Sequence, residues 1–172
     1  EGVNGVLIEK SPGEVNMWRN FPFKADLERT LDQYKLLAKV IVFDVLILNK
    51  DRNPDNLIYS RIRDKKYDFY LIDHAMSLYG PNQDPADYND FPFSSMIQIP
   101  EFRSLFTKGL DFFKDEIDEI KALDDVFITE VVNSVPEEYL TNAQKNIIKD
   151  LLSKRKELLY NKFEEFLKDV KW

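Results

Sequence analysis

From Ala25 onward, Leu27, Leu31, Tyr34, Ala38, Ile41, Val45 and Leu48 recur at spacings of three and four, the period of a helix with one buried stripe. Between Leu36 and Leu48 apolar residues occupy nearly every side, as in a helix central to its domain. The helix is expected to stop near Asn49. Lys50-Asp51-Arg52-Asn53-Pro54-Asp55-Asn56 is rich in turn formers, and Pro54 disfavours helical geometry at Asn53. Residues 57–59 and 67–72 then read as two strands of a hairpin, with the charged run 61–66 as its polar tip. Upstream, Gly2, Gly5, Gly13, Pro12 and Pro22 make residues 1–24 a lead-in of strand and turn, with Val6-Leu7-Ile8 as a candidate short strand.

From Gly80 to Pro100 the chain is rich in Pro, Asn, Asp and Phe, which reads as a long ordered loop anchored by aromatics. Helices are expected at about 101–121, 124–134 and 141–169, with a break at Pro136 and Thr141 as an N-cap. The last carries an apolar stripe through Ile148, Leu152, Leu159, Phe163, Phe166 and Val170; Arg155 falls on that stripe and is expected to find a carboxylate. The pattern as a whole predicts a mainly α (α+β) fold in which one small β-hairpin follows a central helix.

Composition narrows the classes. Hydrophobic residues at 44% and charged residues at 32% are those of a folded globular chain. A length of 172 residues suits one domain or one lobe of a larger enzyme, and the absence of an initiator Met reads as a piece of something longer. The balance of 24 basic against 31 acidic residues, a net charge of −7, argues against a broad footprint for nucleic acid or anionic lipid. With no cysteine, disulfides, thiolate zinc sites and cysteine nucleophiles are excluded. No membrane span and no signal peptide are visible, and a cytoplasmic location is expected. Residues 101–133 hold nine acidic and four basic residues, and residues 141–172 hold five acidic and eight basic, which reads as two solvated faces.

The residues that stand out for chemistry are Asp51, Asn56 and Asp73. Phosphoryl transfer requires a carboxylate to orient the attacking group and oxygen ligands to hold magnesium against the phosphates. Protein kinases place the first carboxylate and a metal-binding Asn at Asp-x-x-x-x-Asn spacing, and a second metal-binding Asp at the end of a later strand. Asp51 and Asn56 have that spacing, and Asp73 directly follows the second predicted strand. Read without Asp73, the pair is better taken as turn residues capping a helix end. His74, the sole histidine, is expected to act as a packing or hydrogen-bonding neighbour of Asp73 and not as a ligand. Asp44, inside an apolar helical run, is expected to accept a structural hydrogen bond from the following loop. Tyr67, Phe69 and Tyr70 read as core and hairpin packing.

The run Phe43-Asp44-Val45-Leu46-Ile47-Leu48-Asn49-Lys50-Asp51-Arg52-Asn53-Pro54-Asp55-Asn56-Leu57 resembles the catalytic loop of HipA-like kinases and, more distantly, of phosphatidylinositol kinases. Leu71-Ile72-Asp73-His74 resembles their metal-binding Asp motif, and Val135-Pro136-Glu137-Glu138-Tyr139-Leu140 before a long helix bearing Arg155 is similar to the end of that family. The resemblance spans roughly residues 30–165. It implies a kinase-like carboxy-terminal lobe over residues 1–172: lead-in 1–24, catalytic helix, loop and hairpin 25–100, and helical tail 101–172. It further implies ATP and Mg2+ as cofactors, Asp51 as catalytic base, Asn56 and Asp73 as ligands of the nucleotide-bound magnesium, and a protein or small-molecule hydroxyl as acceptor. Two departures stand out. The glycines at 2, 5 and 13 do not form G-x-G-x-x-G, and neither Lys10 nor Lys24 sits in the strand context of a phosphate-pairing lysine, so the amino-terminal lobe is not visible. Asn53 also stands where related kinases carry His or Lys, which removes a charge near the phosphate.

Two rivals use the same residues. Asp51-x-Asn53-x-Asp55 matches the first three ligands of an EF-hand loop, but Asn56 stands where Gly is required and Ile62 where the bidentate Glu belongs. A kinase-like scaffold or pseudokinase fragment would keep the fold and bind a protein partner through the acidic 101–133 face.

Overall fold

The computed structural model describes residues 14–78 and 89–170. The chain divides into two compact units and passes between them three times. One takes the residues up to Tyr34 together with Pro54–Ile72, and the other takes Lys35–Asn53 together with the chain from Asp73 onward. The fold is mainly helical with one small antiparallel sheet. The candidate strand at residues 6–8 lies outside the described residues, as do residues 80–88 of the expected 80–100 loop.

The sheet unit is built on three strands in the order β1-β2-β3: β1 (Val15–Met17), β2 (Leu57–Arg63) and β3 (Lys66–Leu71). β2 and β3 form the expected hairpin, in a register that sets Leu57 opposite Leu71 and Tyr59 opposite Phe69. The polar tip is shorter than the charge run suggests. Arg61-Ile62-Arg63 continues the strand, and the reversal falls at Asp64-Lys65, with Lys65 at φ 51°. The face is covered by an aromatic cluster: Trp18 stacks on Phe21 at 4.8 Å, Phe21 meets Tyr59 and Tyr67 edge-on at 5.0 and 5.2 Å, and Phe69 meets Trp18. Tyr67 and Phe69 are therefore packing residues, as the sequence suggests, while Tyr70 is 37% exposed.

The continuous helix expected from Ala25 to Leu48 is broken in two. A short helix α1 (Leu27–Thr30) belongs to the sheet unit, and α2 (Leu36–Leu46) belongs to the helical unit. The interruption has a tertiary cause. Leu31 adopts extended geometry at ψ 134° and bridges Tyr67, and the Asp32 N–H donates to the Tyr67 carbonyl at 2.9 Å. Pairing with β3 competes with continuation of the helix, a competition invisible to a periodicity that both halves satisfy.

In the helical unit α2 packs on α4 (Pro100–Phe106), α5 (Lys114–Lys121) and α7 (Asn142–Asp169), while α6 (Asp125–Asn133) packs on α7. A one-turn helix α3 (Phe93–Met96) precedes α4. Phe93 anchors this stretch by stacking on Phe166 at 4.4 Å and meeting Phe163 edge-on at 4.9 Å; Phe106 and Phe113 complete the cluster. The single helix expected over 101–121 is split. Gly109, at φ 81° and ψ −179°, turns the chain between α4 and a 3-10 turn that leads into α5. α6 and α7 match the sequence pattern to about a residue. Thr141 caps α7 in a reciprocal box with Gln144, and the 28 residues of α7 span about 42 Å. No helix among the described residues is long and apolar enough to cross a membrane.

Candidate active site

The local chemistry of the loop begins with a buried carboxylate. Asp44 lies on the inner side of α2 with no exposed surface, and an unpaired charge there would cost several kcal/mol. The chain solves this within eight residues. Arg52 Nε donates to Asp44 Oδ2 at 2.6 Å and Arg52 Nη2 donates to Asp44 Oδ1 at 3.1 Å, a two-pronged pairing in which both side chains are fully buried. Asn49 Nδ2 adds a third donor at 3.0 Å. The loop hydrogen bond expected of Asp44 is thus present, and it comes from two loop residues at once.

α2 ends so as to aim this loop. The Asn49 N–H donates back to the Asp44 carbonyl at 2.9 Å and the Leu48 N–H to the Val45 carbonyl at 3.3 Å, with Leu48 in the left-handed region at φ 53°. Glycine usually fills that position; Leu48 pays the strain because its side chain is 1% exposed in the core. Asn49 Oδ1 then accepts the Asp51 N–H at 3.2 Å, so the amide side chain links the buried Asp44 to the backbone of Asp51. Asp51 itself is exposed, and Asn53 Nδ2 donates both to its carbonyl at 3.0 Å and to its Oδ1 at 3.2 Å. Asn53, which reads in the sequence as a lost charge, has a positive task here: it holds the Asp51 carboxylate in one orientation.

Asp73 is presented by a second turn of the same unit. It sits at φ 55°, a conformation that Asp tolerates, and its Oδ1 accepts the Ala75 N–H at 3.1 Å in an Asx-turn. The turn is fastened to the end of α2 twice. The Leu78 N–H donates to the Ile47 carbonyl at 2.9 Å, and Arg52 Nη2 lies 3.0 Å from His74 Nε2. A guanidinium only donates, so His74 Nε2 accepts and the ring proton sits on Nδ1. Burial and then the Arg52 charge hold the His74 pKa below its usual value near 6.5, against the opposing pull of Asp44 and Asp73. His74 also meets Phe43 edge-on at 6.3 Å. It stands next to Asp73 in the chain and takes its hydrogen bond from Arg52.

Asp51 and Asp73 are therefore carried by two turns of one unit, joined through Asp44, Arg52 and His74. Asn56 belongs to the sheet unit. It is buried at the start of β2, and its carbonyl accepts the Ile72 N–H at 3.1 Å, closing the base of the hairpin one residue before Asp73 in the chain. No cluster of three or more His, Asp or Glu side chains suited to a metal occurs among the described residues. Asn56 and Asp73, each taken by itself, carry side-chain oxygens, the donor type magnesium prefers. Arg52 is the member of this network that the sequence alone does not single out. The available signal was the buried Asp44, which demands a cation within reach.

Arg155 fastens the same helix end from the far side of the unit. Its guanidinium, expected to find a carboxylate, instead donates to main-chain carbonyls: Nε to Leu46 at 2.7 Å, Nη2 to Val45, and Nη1 to Asp90. It also lies 4.3 Å from the centroid of the Phe91 ring. The Leu46 and Val45 carbonyls are in the last turn of α2, whose C=O groups lack i+4 partners within the helix, so the cation satisfies them where the helix dipole is negative. Lys50, at the start of the loop, pairs with Asp90 at 2.5 Å.

No protein-family model, curated protein or solved structure matches the chain.

Proposed function

We propose that the chain is the catalytic lobe of an ATP-dependent phosphotransferase of the HipA-like kind, transferring the γ-phosphate to a hydroxyl acceptor, with protein Ser or Thr as the first candidate. The observation that supports this best is the Arg52 bridge. It ties the turn bearing Asp51 to the turn bearing Asp73, the two carboxylates that the two sequence motifs single out. A bridge of buried, charge-assisted bonds is more than a surface loop needs for stability, and it suits two carboxylates that must keep a fixed relation.

In this reading Asp51, steadied by Asn53 and by Asn49, accepts a hydrogen bond from the acceptor hydroxyl and orients it for attack. Asp73 and Asn56 are assigned to magnesium, which when bound with ATP neutralises charge developing on the phosphoryl oxygens. Asp73 suits the task because its exposed carboxylate is directed by its own turn and by the anchored residue that follows it. Catalysis of this type rests on positioning and electrostatics, so stiff turns count for more than a reactive side chain.

The test is phosphoryl transfer with Asp51→Ala and Asp73→Ala in the longest natural form of the protein. Asp51→Ala is expected to abolish transfer while fold and nucleotide binding persist, and Asp73→Ala to weaken magnesium-dependent ATP binding. Undiminished transfer by Asp51→Ala would sink the assignment.

A second reading, a kinase-like scaffold, draws on a different feature. An apolar recess of about 350 Å³ opens among α2, α5, α6 and α7, lined by residues that include Phe43, Leu123, Phe127, Val131, Ile148 and Leu152. Phe127 and Val131 are half exposed at its edge, within the acidic stretch. A natural form that binds neither magnesium nor ATP would move the weight to this reading.

A further inference from the structure

We infer that His74 and Arg52 are positioning residues: the hydrogen bond between them sets the orientation of the Asp73 carboxylate from the buried Asp44. The inference rests on the phosphotransferase reading and assigns that site a device it does not otherwise contain.

Asp44 is fixed in α2, and Arg52 is fixed on Asp44 by two bonds of 2.6 and 3.1 Å, with 1% of its surface exposed. The Arg52 side chain thus has one available pose, and Nη2, already bonded to Asp44, also reaches His74 Nε2 at 3.0 Å. On its other side the imidazole is met by the edge-on Phe43 ring. His74 is consequently held at the end of a chain of bonds that starts in the core.

Asp73 immediately precedes it, in the left-handed region at φ 55°. That region is a small well for a residue with a Cβ, so the residue stays there only while its surroundings hold it. The Asx-turn to Ala75, the anchored His74 ring and the Leu78 N–H on the Ile47 carbonyl are among those surroundings. Of these, His74 is the anchor next to Asp73 in the chain, so its loss loosens the carboxylate direction while the Asx-turn and the Leu78 bond keep the turn in place. The same geometry removes His74 from the list of metal ligands, because its Nε2 lone pair is taken by Arg52 and its Nδ1 carries the proton. In this reading it would support the Asp73 ligand through the backbone, and loss of outer-shell support typically costs about 10–100-fold in metal affinity.

The experiment compares His74→Leu with His74→Gln. Both leave the buried Asp44–Arg52 pair in place, but only Gln carries an amide oxygen at about the reach of Nε2. Magnesium-dependent ATP binding is measured by calorimetry in the longest natural form of the protein, with a thermal melt of each variant. His74→Leu is expected to weaken the magnesium-dependent part of binding by about tenfold or more, while ATP binding without metal is unchanged. His74→Gln is expected to stay within about threefold of the parent, the rescue that a donor-acceptor role requires. Equal binding by parent, Leu and Gln forms would overturn the inference and leave the phosphotransferase reading standing. Equal weakening by Leu and Gln would also overturn it, since a packing role ignores the acceptor atom. A parent protein that binds no magnesium–ATP would overturn the reading itself, and the inference with it.

Discussion

Replacing Arg155 by Met tests whether the guanidinium on α7 secures the end of α2. Met fills much of the same volume and keeps the apolar stem, so the change isolates the polar head. Arg155 is fully buried and donates to the carbonyls of Leu46, Val45 and Asp90. Each charge-assisted bond is worth roughly 1.5–3 kcal/mol, but the contributions do not add, and part of the loss is recovered because a buried charge disappears. Leu46 and Val45 present their carbonyls at the end of α2, where Val45 also accepts the Leu48 N–H at 3.3 Å, so a net cost of about 3–5 kcal/mol follows, a large share of the roughly 5–15 kcal/mol of a typical domain. For a chain of this size that is a fall in Tm on the order of 10 °C. The assay is urea unfolding followed by far-UV circular dichroism, with Arg155→Lys in parallel. Lys keeps the charge but presents a single point of donation, so it should lie between Met and the parent. A Met variant within about 1 kcal/mol of the parent would refute the reasoning, because the carbonyls would then be satisfied without the fork.

Two further perturbations probe other features. Gly109→Ala should destabilise by about 1–3 kcal/mol in urea unfolding, because φ 81° with ψ −179° is a region that residues with a Cβ avoid. An added Cβ would meet nothing within 4 Å, so a neutral or stabilising result would show that the turn relaxes and that strain is not what glycine prevents. Asp125, at the start of α6, has its pKa held below the usual carboxylate value by hydrogen bonds from Lys156 and Ser153. Its stabilising contribution is therefore present above the unfolded pKa near 3.8 and lost as pH falls through the lowered folded value. Asp125→Asn should melt slightly lower than the parent at neutral pH, and the gap should narrow with acid and with salt; a gap independent of pH would exclude the charge as its source.

Much of the local structure was legible in the chain. The apolar spacing of α6 and α7, the Thr141 cap, the hairpin and the turn-forming run after α2 all depend on neighbours a few residues apart, which periodicity and turn chemistry report directly. Asp51, Asn56 and Asp73 stand out in the sequence by spacing as a candidate set. Asp44 could also be read as a group in need of a partner, because charge inside an apolar helix is costly wherever it occurs.

What the tertiary structure decided was every choice between partners distant in sequence. The helical period runs unbroken across Leu31, yet Leu31 leaves the helix because Tyr67, brought alongside by the hairpin, offers a competing bond. Arg155 reads as half of an ion pair, yet its donors go to carbonyls at a helix end about a hundred residues away, since only the packed fold brings that end within reach. Arg52 looks like one more loop cation until Asp44 and His74 close on it from both sides. Sequence by itself determined which elements can form and which side chains could do chemistry. The fold alone determined which of those groups are held still, because rigidity at a site comes from bonds to residues that the linear order keeps apart.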